Sequence, residues 1–411
     1  MNFDRSDDLS ISDFSKKAYL LRTIKNNFLT YGYREVETPT FESYDLYQSI
    51  TGTVKHDSMI KIIDPTGKIL VMRPDVTVPI TKMQVTTPPS LAAERLFYIE
   101  NVFRLAGDQQ GKKEWTQAGV ENYGPSSTET DAEVISLAVQ VLRNLGFKSI
   151  QIQVGLASFF RPLLDVVSLT DSEIKELQSL IRAKNISELE LFLSKRDVPE
   201  ELQYLLIQIP YLYGDFTAVT KRAKELLISD SMVEQIQKLE DLHKILKLYD
   251  VDRFVSLDLG LINHMDYYSG IIFQGYVENV GKPVLMGGRY DQLASQIGSD
   301  LPAIGFACES DVLLEALDQG NLFKPDAAHI DVLITYDTVR QKEAIQSAEA
   351  LRKGGLRVIV TAKTDEVKSF DEITTIHYTA NDQVVTQNGE CRQFNDVSKL
   401  VNLLTRNKGE M

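Results

Sequence analysis

The sequence predicts an α+β protein: an antiparallel sheet flanked by helices, split by a helical insertion and followed by a small α/β domain. Three observations carry that expectation. Strand-like segments come as hairpin pairs, at Ile60 to Val71 and again at Arg95 to Tyr123. From about Asp165 to Tyr249, Leu, Lys and Glu dominate and apolar residues recur at helical spacing. After Pro325 to Ala328, read as a linker, a strand, a helix and a strand follow in turn. The expected boundaries are 1–164 and 251–322 for two parts of one core, 165–250 for the insertion and 328–411 for the tail domain.

Taken in order, Phe14, Ala18, Leu21, Ile24, Phe28 and Leu29 fit one amphipathic helix stopped at Gly32. Tyr33 to Glu42 alternates like a strand and is stopped by Pro39. The hairpin of Ile60 to Val71 turns at Asp64-Pro65-Thr66-Gly67, and Val78 to Met83 begins a helix. Arg95 to Phe103 and Trp115 to Tyr123 are the arms of a long hairpin with a glycine-rich, mobile tip at 107–114. Asp131 is expected to cap a helix running to Leu145, with Gly146 as its stop, and Ser149 to Val154 to form a strand.

In the insertion, Ile174-Leu177-Leu180-Ile181, Leu189-Leu191-Phe192-Leu193 and Ile236-Leu239-Leu242-Ile245-Leu246 read as helix faces. Phe254 to Leu261 and Ile271 to Tyr276 read as strands around Asn263-His264-Met265-Asp266-Tyr267-Tyr268. Val284 to Met286 leads into Gly287-Gly288-Arg289-Tyr290-Asp291, expected as a tight turn opening a short helix. Ala303 to Ala307 follows as a strand and Asp311 to Leu317 as a helix. In the tail, Ile330 to Thr335 is a strand, and Ala344, Ile345, Ala348 and Leu351 share a helix face that ends at Gly354-Gly355. Leu356 to Val360 is a strand, Asn388-Gly389 turns a hairpin, and Leu400 to Leu404 is a closing helix.

Composition narrows function. The net charge of −14 gives no global attraction to a polyanion, although a local basic groove is compatible with it. No apolar run approaches the roughly 20 residues that span a bilayer. The acidic, polar start is not expected to act as a secretory signal. Cys308 and Cys391 have neither metal-ligand nor disulfide-framework spacing, so the expectation is a cytoplasmic protein with no metal and no cofactor.

Four segments place chemically useful groups beside strands: Arg73/Asp75/Thr77, Arg104, Gln117/Glu121 and Asp266/Tyr267/Tyr268. Gln117 and Glu121 are four apart on a strand and face the same side. Carboxylates, an amide and two phenols could hold a cationic amine and an imidazole. Singly, each segment is more often a surface ion pair or a satisfied buried network; the four together, in this order, are informative.

That order resembles histidyl-tRNA synthetase over roughly residues 10 to 320. The strand ending in Pro39 resembles motif 1 of class II synthetases, the dimer-forming motif. Met72-Arg73-Pro74-Asp75-Val76-Thr77 resembles the family's Arg-Pro-Glu-Gly-Thr, which touches the histidine amine. Phe103-Arg104 and Gln117-Ala118-Gly119-Val120-Glu121 resemble motif 2 and the histidine contacts after it. Asp266-Tyr267-Tyr268 resembles the histidine signature, and Gly287 to Asp291 with Gly305-Phe306-Ala307 resembles the approach to motif 3. The resemblance implies a class II synthetase-like core and a histidine pocket of Asp75, Thr77, Arg104, Gln117, Glu121, Tyr267 and Tyr268.

The departures cluster on the nucleotide side. Asn263 stands where the family has an Arg that assists adenylation, Ala106 where motif 2 has a Glu, and Asp311-Val312 where motif 3 ends in Glu-Arg. Losing one such electrostatic contact typically costs about 2–4 kcal/mol at a transition state. Histidine recognition without nucleotide chemistry is similar to the non-catalytic paralogue that regulates ATP phosphoribosyltransferase at the start of histidine biosynthesis. That resemblance implies a short-form catalytic subunit as partner, L-histidine as effector, and a homodimer within a hetero-octamer of four plus four. The rivals are a divergent active histidyl-tRNA synthetase, a stand-alone histidine-binding module, and a version in which histidine acts at a subunit contact. From Asp326 to Met411 there are 11 Lys/Arg against 13 Asp/Glu, so tRNA is not an expected partner of the tail.

Overall fold

The computed structural model describes residues 11–87, 94–105, 112–157, 159, 163, 167, 169–227, 229–261, 267–323, 330–363, 374–387 and 390–394. The hairpin tip at 106–111, the linker, residues Asn263 to Asp266, and the expected helix at Leu400 lie outside them. The chain divides into two compact units, 1–323 and 324–411.

In the first unit, α1 (Ile11–Thr30) precedes β1 (Arg34–Glu35) and β2 (Phe41–Ser43). The strand expected to stop at Pro39 is limited to β1, and a second short strand, β2, follows the proline. Between them Thr38 gives its backbone N–H (2.7 Å) and hydroxyl (2.8 Å) to the Glu100 carboxylate, so ladder pairing stops where a side chain takes over. α2 (Tyr44–Ser49) leads to β3 (Lys61–Ile63) and β4 (Ile69–Met72), which pair antiparallel around the expected turn. α3 (Thr77–Thr86) follows, then β5 (Glu94–Phe103), β6 (Glu114–Tyr123), α4 (Thr128–Asn144) and β7 (Ile150–Leu156). Asp131 is not the cap of α4. Ser127 caps it, accepting from the Thr130 N–H (3.2 Å). Asp131 sits inside the first turn because Arg289 claims its carboxylate, with Nε at 2.8 Å.

The rest of the sheet is β8 (Tyr213–Gly214), β9 (Val255–Asp258), β10 (Ile271–Val277), β11 (Leu285–Arg289) and β12 (Ala303–Glu309). Among the described residues nine strands form one sheet in the order β1-β5-β6-β12-β11-β10-β7-β9-β8. β1 with β5 and β7 with β9 are parallel; the other pairs are antiparallel. The expected tight turn at Gly287-Gly288 is strand β11 instead. The two glycines mark close neighbours, not a bend: a Cβ on Gly288 would lie 2.7 Å from Tyr268 Cδ1.

Side-chain alternation gives the sheet two different faces. Phe97, Ala118, Val120, Ile304, Phe306 and Cys308 join Leu20, Ile24 and Phe28 of α1 and the apolar stripe of α4 in the main core. Leu96, Tyr98 and Tyr123 point the other way, to a second cluster with Val71, Val76, Val78 and Tyr290. The register sets Glu121 opposite Leu96 and Gly305, and Gln117 opposite Glu100 and Glu309. Gln117 and Glu121 thus share the second face, as their spacing predicts.

The helical stretch is two things. Helices Asp171–Arg182, Ile186–Ser194 and Glu200–Gln208 bury their own cluster around Leu177, Leu189 and Leu206. Helices Phe216–Lys224 and Asp230–Leu248 instead bury Val219, Ile236, Leu239, Leu242 and Leu246 in the main core. In the second unit, β13 (Val332–Tyr336) lies between parallel β14 (Val358–Ala362) and β15 (Thr374–Tyr378), with β16 (Gln383–Gln387) and β17 (Glu390–Gln393) completing the order β14-β13-β15-β16-β17. Helix Gln341–Lys353 packs on it through Ala344, Ala348 and Leu351, while Ile345 is turned out at 43% exposure. No helix among the described residues is long and apolar enough to cross a membrane.

Candidate functional site

The second face of the sheet forms the floor of a cavity. All seven residues that the resemblance places in a pocket line it: Asp75, Thr77, Arg104, Gln117, Glu121, Tyr267 and Tyr268. Four segments deliver them. β6 supplies Gln117 and Glu121. The segment entering α3 supplies Asp75 and Thr77. The segment before β10 supplies the two tyrosines, held where the Ser269 N–H meets the Arg289 carbonyl (2.8 Å) and the Asp291 N–H meets Ser269 Oγ (2.9 Å). Arg104 closes the end of β5 and donates from Nε to the Pro74 carbonyl at 2.5 Å.

Glu121 is the most tightly held group. It accepts from the Thr77 hydroxyl at 2.6 Å and from the Tyr290 hydroxyl. Room for it exists because position 305 is glycine: a Cβ there would sit 2.0 Å from Glu121 Oε2 and 2.3 Å from the Val120 carbonyl. Asp75 uses Oδ1 to accept the Val78 N–H (2.8 Å) at the start of α3. Its Oδ2 is buried with no hydrogen-bond partner among the described residues. Gln117 donates to Glu309 Oε1 at 2.6 Å, across the β6–β12 ladder. Tyr267 and Tyr268 lie 4.6 Å apart between centroids with their rings tilted by 36°, and Tyr290 meets Tyr267 edge-on at 5.7 Å.

The electrostatics are lopsided. Burial raises the Glu121 carboxyl to about 7, outweighing the Thr77 and Tyr290 hydrogen bonds that oppose it. Burial raises Asp75 to about 6 against the Val78 N–H and Arg104. Burial also raises Glu309. Tyr268 is pushed up to about 12 by burial and stays a neutral phenol. Three carboxyls therefore face one cation of the lining, Arg104. An orphaned carboxylate oxygen in a cavity rich in carboxyls is a receptor for a donor-bearing cation, because a buried anion without a partner is costly. No group of three or more His, Cys, Asp or Glu suited to a metal occurs among the described residues.

Arg73 of the same segment is not brought into the cavity. Its guanidinium donates to the Asn101 carbonyl (2.8 Å from Nη2) and to the Thr38 carbonyl (2.5 Å from Nη1), and lies 3.3 Å from Glu100. It fastens the chain just ahead of Asp75 to β5. Tyr98, Tyr290 and Glu309 also line the cavity and were not assigned to it from the sequence. Hairpin register could have found Tyr98, which lies opposite Gly119 between Gln117 and Glu121. Glu309 and Tyr290 needed the pairing of β6 with β12 and the fold-back of β11, which no local pattern reports.

Beside the cavity lies a larger cleft lined by Ser58, Lys112, Trp115, Lys282, Asp311, Val312 and Glu315, among others. Its lysines are already paired: Lys112 with Asp311 at 2.5 Å and Lys282 with Glu315 at 3.0 Å.

A sequence profile described as histidyl-tRNA synthetase matches residues 6–313. The ATP phosphoribosyltransferase regulatory subunit of Oceanobacillus iheyensis is 42% identical over 363 residues, covering 88% of this chain and 89% of that one. The protein of the same name from Acetivibrio thermocellus is 36% identical over 82% of this chain and 81% of its own. Among solved structures, an ATP phosphoribosyltransferase regulatory subunit/histidyl-tRNA synthetase from Bacillus halodurans superimposes with a TM-score of 0.79 at 26% identity, covering 92% of this chain and 99% of that one. Histidyl-tRNA synthetase from Nostoc sp. shares the fold, with a TM-score of 0.81 at 18% identity over 99% of this chain and 100% of its own. The chain belongs to the histidyl-tRNA synthetase-like family of ATP phosphoribosyltransferase regulatory subunits.

Proposed function

We propose that this chain is the non-catalytic regulatory subunit of ATP phosphoribosyltransferase, that a short-form catalytic subunit depends on it for activity, and that L-histidine bound in the cavity mediates feedback inhibition. One observation carries the reading. Residues scattered from Asp75 to Tyr268 line one cavity with an orphaned carboxylate oxygen, while the adjacent cleft has Val312 and ion-paired lysines where phosphate chemistry would need free cations. The ammonium of histidine would meet the carboxylates and its carboxylate Arg104; the ring would find phenols and Glu121 as partners. Coupling of such a site to a partner's active site is typically about 1–3 kcal/mol and is reciprocal. A homodimer inside a four-plus-four assembly with the catalytic subunit, working in the cytoplasm, completes the proposal.

Mixing this chain with a short-form catalytic subunit should restore turnover, and L-histidine should suppress it. Turnover by the catalytic subunit alone, unaffected by this chain, would overturn the proposal. The family profile keeps an active synthetase as the second reading. That reading requires histidine-dependent ATP–pyrophosphate exchange by the pure chain, which we expect to be absent. Unchanged feedback inhibition after Glu121→Gln would instead move the effector to a subunit contact.

A further inference from the structure

Four residues line both the histidine cavity and the larger cleft beside it: Arg104, Gln117, Met286 and Glu309. They form the neck between the two spaces. Gln117 and Glu309 are cross-strand neighbours, and the amide of one holds the carboxylate of the other at 2.6 Å. Glu309 is thus fixed at the neck, not swinging free. Burial raises its carboxyl, the Gln117 hydrogen bond and then Arg104 draw it back down, and Asp311 pushes it up again. Beyond the neck, Lys112 and Lys282 are committed to Asp311 and Glu315. A ligand group passing from the cavity toward the cleft therefore meets a fixed acid first and paired lysines next.

Resting on the reading that the cavity takes histidine, we propose that Glu309 is a specificity-determining residue: it leaves Arg104 able to receive one ligand carboxylate and turns away ligands that carry a phosphoryl group at that end. Like-charge placement is how a site discriminates against an otherwise matching frame. Met286, the fourth neck residue, supplies bulk without charge.

The test compares three probes that share the amine and imidazole: L-histidine, L-histidinol and L-histidinol phosphate. Titration calorimetry on the full chain at pH 8 reads each affinity. For the wild-type protein, L-histidine should bind best and L-histidinol phosphate at least tenfold more weakly than uncharged-tailed L-histidinol. Glu309→Gln keeps the shape and the hydrogen bond from Gln117 while removing the charge. It should narrow the gap between L-histidine and L-histidinol phosphate by tenfold or more, with an unshifted thermal melt. A gap that stays the same in a folded Glu309→Gln protein overturns the role of Glu309. So does wild-type protein that binds L-histidinol phosphate as well as L-histidinol, a result that needs no variant. Failure of the wild-type protein to bind L-histidine at all would instead overturn the reading of the cavity itself.

Discussion

The carboxyl-lined cavity and the cleft beside it are built from adjoining stretches of the same sheet face, yet they handle charge in opposite ways. In the cavity, burial raises three carboxyls and one oxygen of Asp75 has no hydrogen-bond partner among the described residues. In the cleft, each lysine already has a carboxylate within 3.0 Å. Uncommitted charge marks a place prepared for a ligand; committed charge marks a surface that is already satisfied. The distinction follows from desolvation, since a partner is worth most where water is least available.

That contrast can be broken from the cavity side first. Gly305→Ala should have the largest effect, because its Cβ would overlap the Glu121 carboxylate and the Val120 carbonyl. Histidine affinity should fall more than a hundredfold in calorimetry and the melting temperature should drop. A variant that binds normally would show that Glu121 is not held where the cavity needs it. Glu121→Gln is next. Hydrogen bonds to charged groups are worth about 1.5–3 kcal/mol, so histidine should bind roughly 10- to 100-fold more weakly.

The third prediction concerns pH and has two signs. Asp75 and Glu121 titrate at about 6 and 7, above the ordinary carboxyl range. Between pH 4 and 7 the folded, ligand-free protein therefore holds more protons at these groups than the unfolded chain, and their contribution to stability is lost as pH rises through 6 to 7. A cationic ammonium needs the ionised carboxylates, so its attraction grows over the same interval. Melting curves with and without L-histidine from pH 5 to 8 should diverge as pH rises, and Asp75→Asn should flatten the divergence. Parallel curves would show that neither carboxyl meets the ligand. The smallest effect belongs to the cleft. Lys112→Ala removes a pair whose side chains are 47% and 36% exposed, so stability should change by less than about 1 kcal/mol and histidine affinity by less than twofold. A tenfold loss of affinity would mean that the cleft belongs to the ligand site.

Much of this architecture was readable from local pattern. The β5–β6 hairpin, α1 with its stop at Gly32, and the tail's strand–helix–strand order follow from apolar periodicity and turn chemistry. Local pattern failed where a distant residue intervened. Asp131 looked like a cap because Asp before an apolar run usually is one; Arg289, 158 residues away, made it an ion-pair partner. Gly287-Gly288 looked like a turn because paired glycines often are. Here they are strand residues pressed by β12 and Tyr268. The helical stretch read as one insertion, but its last two helices belong to the main core because their apolar faces match α4 and the sheet.

Strand alternation is local and obligatory, so Gln117 and Glu121 had to share a face, and the residue types beside them were legible as partners for an amine and an imidazole. Tertiary structure alone decided that Asp75, Glu121 and Tyr268 meet, that Tyr290 steadies Glu121, that Glu309 stands at the neck, and that Arg73 is spent on holding the chain. Those outcomes depend on register between strands up to 192 residues apart. Which neighbour a charge finds, and whether water is left beside it, is a property of the packed sheet and not of any segment in it.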